Sequence, residues 1–278
     1  MVILASNLNN ISYTIIIANM SNDNSIDQTE EVQEIENGIL LESITTYRNV
    51  QVNMILCPTW GVTCFMDGMI QSCEMDEEMY HHMLVFPSMY TKKDAKRVMI
   101  IGGGEGATAR EVLRWPSVEH VDMYDWDKDV VQLFQHKYPQ WAKGAWTNPK
   151  LHLHFDNIFD IISTSPEKPY DVIIIDLFDP EEENRLQWSY LFEYLSAWAT
   201  PDAVIVMYAG IADVAIKDTI QPYQMLCHMI LQQLKEKDIN PYIVPIQSFM
   251  GDSVFLMLTN KARENKNIQY KPIHVMKI

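Results

Sequence analysis

From Gly38 to Gln71 apolar and polar residues alternate in short runs: Ile39–Ile44, Val50–Leu56 and Val62–Met66, the last followed by Asp67-Gly68 and then Met69-Ile70. Alternation with a period of two buries one face of a strand, and Asp-Gly between two such runs is a tight-turn signal. These residues are expected to form a small antiparallel β-module. The spacing then changes. Met75, Met79, Met83 and Phe86 recur at roughly helical intervals and predict a helix over Glu74–Met89.

After Lys92 compact apolar runs replace the alternation. They predict strands at Val98–Ile101, Val121–Tyr124, Leu151–Phe155, Val172–Ile175, Val204–Met207, Tyr242–Ile246 and Val254–Leu258. Helices are expected from near Thr108 and over Asp129–Tyr138, Ser189–Ala199 and Tyr223–Lys237. Strand and helix in alternation predict an α/β fold: a doubly wound, mostly parallel, Rossmann-like sheet of the methyltransferase type. The organisation expected is a polar, acidic, flexible tail over 1–37, the β-module with its linking helix over 38–92, and the Rossmann-like domain over 93–278.

Composition narrows the function. Hydrophobic residues at 47% and charged residues at 21% suit a packed globular protein and not a disordered chain. No apolar run approaches the roughly 20 residues that span a bilayer. Ile11–Ala18 is short and has no basic residue before it, so it is read as neither signal nor anchor, and a cytoplasmic protein is expected. Cys57, Cys64, Cys73 and Cys227 form no C-x-x-C pair and are read as reduced thiols. A net charge of −16 repels nucleic acid and anionic lipid and attracts cations. Partners are therefore expected among cationic small molecules, with no nucleic acid and no membrane.

In a doubly wound sheet ligands bind beyond the carboxyl ends of the strands. The first strand runs into Gly102-Gly103-Gly104-Glu105-Gly106-Ala107, where a close backbone approach is possible. Glu105 within that loop would pair with a ligand ammonium and repel a pyrophosphate, which argues against a dinucleotide. Asp125 ends the second strand about twenty residues after the glycines, the spacing at which an acid grips ribose hydroxyls; Asp127 is the better helix cap. Asp156-Asn157 ends the third, facing an adenine amine or forming only a turn and cap. Asp176 and Asp179, held by Pro180, end the fourth as a compact cation-binding pair. Such groups suit displacement at a carbon beside a sulfonium. An attacking amine must lose a proton from a group of pKa near 10, which a carboxylate and a tyrosine hydroxyl can accept. No His/Cys cluster has metal-ligand spacing, so no metal is expected, and His152 and His154 are read as structural.

Five segments, MDGMIQ (66–71), DEEMYH (76–81), GGGEGATAREVLR (102–114), VDMYDWDKDVV (121–131) and YDVIIIDLFDP (170–180), resemble the spermidine synthase family of polyamine aminopropyltransferases across roughly Leu41–Thr259. GGGEGA, YPQWAKGAW (138–146) and the DLxDP form resemble the thermospermine or triamine/agmatine branch more than animal spermidine synthases. The resemblance implies transfer of an aminopropyl group from decarboxylated S-adenosylmethionine, a co-substrate and not a bound cofactor, to putrescine, spermidine or a similar amine, with release of 5′-methylthioadenosine. It implies Asp176 as proton acceptor with Tyr80 as its partner, and Asp179 with Tyr80 at the acceptor amine. Gln71, His81, Glu105, Asp125, Asp156 and Asn157 would line the donor site, Glu105 taking the ammonium that an Asp usually takes. Assembly as a homodimer or homotetramer through the β-module is implied too. The chain departs from the family at Arg48, where Gln is usual after Tyr, at Asn157 in place of Gly, and at Met207-Tyr208-Ala209-Gly210, where Gln precedes small or acidic residues. Those departures motivate the alternative of a catalytically silent homologue that binds an adenosyl ligand or a related subunit. A methyltransferase on the same sheet is a third reading.

Overall fold

The computed structural model describes Glu34, Ile35, 37–212 and 221–261. Within them the chain separates into two compact units, one reaching Tyr80 and including Ile246–Met250, the other formed by His81–Pro245 and the residues from Gly251. The apolar run Ile11–Ala18 lies outside the described residues.

The first unit is a four-stranded antiparallel sheet in chain order: β1 (Ile39–Thr45), β2 (Gln51–Cys57), β3 (Gly61–Met66) and β4 (Met69–Cys73). Asp67 and Gly68 both have positive φ, 50° and 87°, as the tight turn joining Met66 to its partner Met69 requires. Asp67 Oδ1 also accepts from the Gln51 N–H at 2.9 Å, tying the turn to β2. The module's core is Ile35, Ile55, Cys57, Trp60, Phe65 and Cys73. Ile35 and Glu34, the end of the polar segment expected to be a tail, are buried in this unit, and Glu34 Oε2 accepts from the Thr59 N–H at 2.9 Å. Helix α1 spans Glu77–Thr91. It starts later than the apolar spacing predicts because Glu74 is held by the Val62 N–H and Asp76 by Ser248, before the first turn.

The second unit is a seven-stranded sheet. In order of first mention along the chain it comprises β5 (Arg97–Gly102), α2 (Ala107–Leu113), β6 (His120–Tyr124), α3 (Lys128–Lys137), β7 (Leu151–His154), α4 (Ile158–Ile161), β8 (Tyr170–Asp176), α5 (Arg185–Leu195), β9 (Ala199–Ala212), α6 (Pro222–Gln233), β10 (Lys237–Ile246) and β11 (Gly251–Asn260). The spatial order is β10-β11-β9-β8-β5-β6-β7. β5 to β9 pair in parallel, and β11 runs antiparallel to β9. The mixed sheet is the doubly wound α/β type that the strand–helix alternation predicts. Counting strands from β5, the chain first steps one way to β6 and β7 and then returns to β8 on the other side. The topological switch point, where such sheets bind ligands, is therefore the β5/β8 pair.

One face of the sheet is sealed by Trp188, Leu191 and Phe192 of α5 and by Leu226 and Ile230 of α6, against Ile101, Ile173, Ile175, Ile205 and Met207. Each such fully buried side chain contributes about 1.5–3 kcal/mol. Two helices end earlier than expected. α5 stops at Leu195 because Ala199 already pairs with Tyr170 at the start of a long β9. α6 stops at Gln233, and Lys237 opens a strand instead, its buried Nζ donating to Ala203 O and Asn260 Oδ1, both at 2.6 Å. A buried ammonium left on a helix flank would have no such partners. Among the described residues no helix is long and apolar enough to cross a membrane.

The far edge of the sheet is fixed by a polar knot. Asp122 on β6 accepts from His120 Nε2 (2.7 Å), His154 Nε2 (2.8 Å), the Tyr170 hydroxyl (2.7 Å) and Arg97 (3.2 Å). Burial alone would raise its pKa. The bonds from His154, Tyr170 and His120 outweigh burial and hold the carboxyl far below the usual carboxylate range. His154 also stacks on Tyr124 at 4.4 Å, so it has the structural role its place on the strand suggests.

Candidate active site

Parallel register sets Gly102 beside Asp176 at the ends of β5 and β8. Gly102 has φ 87°, and a Cβ there would fall on the Asp176 carbonyl oxygen. Only glycine lets the loop cross the end of β8 this closely. Gly104 is constrained from the other side, since a Cβ on it would stand 2.8 Å from Asp125 Oδ2. The loop therefore runs between two carboxylates.

Three acids surround it. Asp176 Oδ2 accepts from the Thr108 hydroxyl at 2.6 Å, and Thr108 is fully buried in the first turn of α2. Glu105, 18% exposed, accepts at Oε1 from His81 Nε2 at 2.8 Å, and His81 is 1% exposed. Asp125 Oδ1 accepts from the Asp127 N–H at 2.9 Å, while Asp127 itself caps α3 through the N–H groups of Asp129 and Val130. Burial pushes the Asp125 carboxyl up to about 7; the Asp127 N–H pulls the other way, and the negative charges of Glu105, Asp127 and Asp176 add to the rise. The half-buried Asp125 thus reports a concentration of like charge at this mouth of the sheet.

Asp179 follows on the loop after β8. The residue is exposed, but protein crowds its carboxyl and raises its pKa, helped by Glu181; a hydrogen bond with the Tyr208 hydroxyl opposes the shift. Tyr208 lies on β9 one residue past Met207, the partner of Ile175, which sets it beside Asp176 at the end of β8, while β9 itself runs on to Ala212. It is 5% exposed, its ring meets Phe255 edge-on at 5.8 Å, and burial together with Asp179 raises its phenol. Tyr208 and Thr108 were not among the residues expected from the sequence. The strand-end rule that selects Asp176 selects Tyr208 equally, since it follows directly on the predicted strand Val204–Met207. Thr108 carries no such signal, because its partner lies 68 residues away in sequence.

Asp156 and Asn157 follow β7 in the loop before α4. Asp156 is exposed, whereas Asn157 Oδ1 accepts from the Phe159 N–H at 3.2 Å as the cap of α4. The remaining expected residues belong to the first unit. Tyr80 is buried with its ring edge-on to Phe249 at 5.6 Å, and Gln71 is exposed on β4 with Nε2 donating to Met69 O at 3.3 Å. Arg48 is exposed beside the β1–β2 turn, its guanidinium 4.9 Å from the centre of the Tyr47 ring. None of the four cysteines forms a disulfide. Among the described residues no group of three or more His, Cys, Asp or Glu is placed to hold a metal ion.

This geometry can be set beside that of known proteins. A polyamine aminopropyltransferase of Sulfolobus acidocaldarius is 30% identical over 235 residues, 82% of this chain and 75% of that protein. Polyamine aminopropyltransferase 2 of Pseudomonas aeruginosa is 30% identical over 227 residues, 80% of this chain and 62% of its own length. A polyamine aminopropyltransferase of Prochlorococcus marinus is 36% identical over 146 residues, 52% of this chain and 50% of that one. The chain spans about half the length of the curated relatives it matches first. Among solved structures, a spermidine synthase in complex with the transition-state analogue AdoDATO superposes with a TM-score of 0.71 at 22% identity, covering 81% of this chain and 75% of that one. The spermidine synthase of Thermotoga maritima gives 0.68 at 22% identity, with 81% and 74% covered. These superpositions establish the shared fold. The spermine/spermidine synthase domain model matches residues 77–271, from the helix bearing His81 through every strand-end acid of the sheet, and the chain belongs to that family.

Proposed function

We propose that this protein is an aminopropyltransferase, moving the aminopropyl group of decarboxylated S-adenosylmethionine onto an amine and releasing 5′-methylthioadenosine. One observation carries the reading: the glycine loop that bears Glu105 packs against both the Asp125 and the Asp176 carboxylates at the β5/β8 switch point, where burial first, and the charges of Glu105 and Asp176 with it, push Asp125 up to about 7. A site of that charge suits a ligand with several positive centres. In this reading Asp125 holds the ribose hydroxyls, Asp156 and Asn157 face adenine, and Glu105 takes the aminopropyl ammonium. Asp179 and Tyr208 hold the far nitrogen of the acceptor. For Tyr80 and Gln71 the proposal rests on the family motifs alone.

The reaction moves charge in a direction these acids favour. The acceptor nitrogen uses its lone pair to bond the methylene next to sulfur. The carbon–sulfur bond breaks with its electron pair retained on sulfur, and the sulfonium becomes a neutral thioether. Positive charge thus passes from sulfur to nitrogen, towards Asp176. An anion already fixed there, by the Thr108 hydroxyl, stabilises the transition state more than the ground state. The acceptor must first shed a proton from an ammonium of pKa near 10, a cost of about 4 kcal/mol near neutral pH. In this reading Asp176 takes that proton and passes it to solvent, so that it is again an anion when the carbon–nitrogen bond forms. In-line positioning of the two substrates supplies most of the remaining acceleration. An intact methionine carboxylate, as a methyltransferase would bind, would stand against Glu105.

The finer assignment we propose is a triamine acceptor, giving a thermospermine-type product. It is supported by the GGGEGA and DLxDP motif forms and by the acidic run Glu181–Glu183 beyond Asp179. A cytoplasmic homodimer fits the family resemblance. The test is incubation with decarboxylated S-adenosylmethionine and a panel of putrescine, agmatine and spermidine. Release of methylthioadenosine in equal amount with an aminopropylated amine is expected, fastest with spermidine. No methylthioadenosine with any amine from folded protein would refute the proposal.

A further inference from the structure

We infer that His81 is a positioning residue: it fixes the Glu105 carboxylate so that one oxygen is presented to the ammonium of the donor. The inference rests on the role proposed for Glu105 and deepens it. A carboxylate only accepts hydrogen bonds, so His81 Nε2 carries the proton in the 2.8 Å contact with Glu105 Oε1. His81 is 1% exposed on α1, a fixed platform, whereas Glu105 is 18% exposed at the mouth of a loop built of glycines. Oε1 is thereby engaged by the protein and Oε2 is left for a ligand.

The pairing answers a need specific to this chain. A Glu at this place is one methylene longer than Asp and has one more rotatable bond. Ordering a Glu side chain costs up to about 1.5–2 kcal/mol, a cost that falls on ligand binding unless the free protein has already met it. A lysine or arginine could hold the carboxylate equally well, but would cancel the charge meant for the ligand. An imidazole N–H orients it without bringing a permanent positive charge.

Calorimetric binding of decarboxylated S-adenosylmethionine and of methylthioadenosine, which lacks the ammonium, separates this role from a merely structural one. His81→Ala is expected to weaken the decarboxylated donor about tenfold while methylthioadenosine stays within twofold of the wild type. His81→Gln, whose amide can donate to the same oxygen, should recover most of the loss. Glu105→Gln should abolish the preference for the ammonium-bearing ligand, and adding His81→Ala to it should cost nothing further. Equal weakening of both ligands in His81→Ala, or a further loss in the double variant, would overturn the inference. Wild-type protein that turns over in the amine panel yet binds the decarboxylated donor no better than methylthioadenosine would overturn it too, leaving the proposed function in place. A clear preference for that donor without turnover would instead support it and refute the transfer reaction.

Discussion

Asp176→Asn is expected to lower turnover by about 10³-fold, in the range found when a positioned general base is lost. Donor affinity should stay within a few-fold. The substitution keeps the shape of the side chain, and the Thr108 hydroxyl 2.6 Å from Oδ2 can turn to bond an amide as it bonds the carboxylate. What disappears is the negative charge towards which positive charge moves, and the site that receives the proton. Methylthioadenosine release under saturating substrates, compared with calorimetric donor affinity, reads the two effects separately. Turnover within tenfold of the wild type would remove Asp176 from the role of proton acceptor and move attention to another group. The substitution also takes one negative neighbour away from Asp125, so the Asp125 carboxyl should titrate lower in the variant.

Asp125→Asn should act in two directions at once. In the folded protein the Asp125 carboxyl keeps its proton to about 7, against an ordinary value near 3.8. Because the folded-state pKa is raised, the folded form binds more protons between those limits. The stability this lends is present below the ordinary value and is lost as pH rises towards 7. At pH 8 the wild type therefore carries an ionised, crowded carboxylate. The shift corresponds nominally to about 4 kcal/mol. At a half-buried site, solvent screening reduces this to roughly 1–2 kcal/mol. Asn keeps the bond to the Asp127 N–H without the charge. The ligand-free variant should melt about 2–6 °C above the wild type at pH 8 and above it by a smaller margin at pH 5. Its affinity for methylthioadenosine should nevertheless fall about 10–100-fold, the cost of losing charge-assisted bonds to ribose hydroxyls. Thermal scans at the two pH values with a binding isotherm at pH 8 check both. A variant less stable at pH 8, or one that binds the nucleoside as well as the wild type, would contradict this account of the residue.

Much of the frame was legible because it depends on local pattern. Period-two alternation marks β1 to β4, Asp67-Gly68 marks their last turn, and the apolar runs at Val98–Ile101 and Val172–Ile175 mark the central strands. The rule that ligands meet an α/β sheet at strand carboxyl ends then points to Glu105, Asp125 and Asp176, and the structure places all three around the glycine loop. Long-range pairing was not legible. The Asp122 knot joins residues 97, 120, 122, 154 and 170, which meet only through the parallel register of four strands. Thr108 reaches Asp176, and Tyr208 reaches Asp179, across neighbouring elements in the same way. The end of α6 was misjudged because Gln233 and Lys237 read alike as helix formers. Only the buried contacts of Lys237 with Ala203 and Asn260 make it a strand residue.

If acids at this sheet mouth exist to receive alkylammonium groups, one comparison isolates the effect: the wild-type affinities for decarboxylated S-adenosylmethionine and for S-adenosylmethionine, which differ by a single carboxylate. Calorimetry should show the decarboxylated compound bound about 100-fold more tightly. Equal affinity, or tighter binding of the carboxylate-bearing compound, would contradict the account.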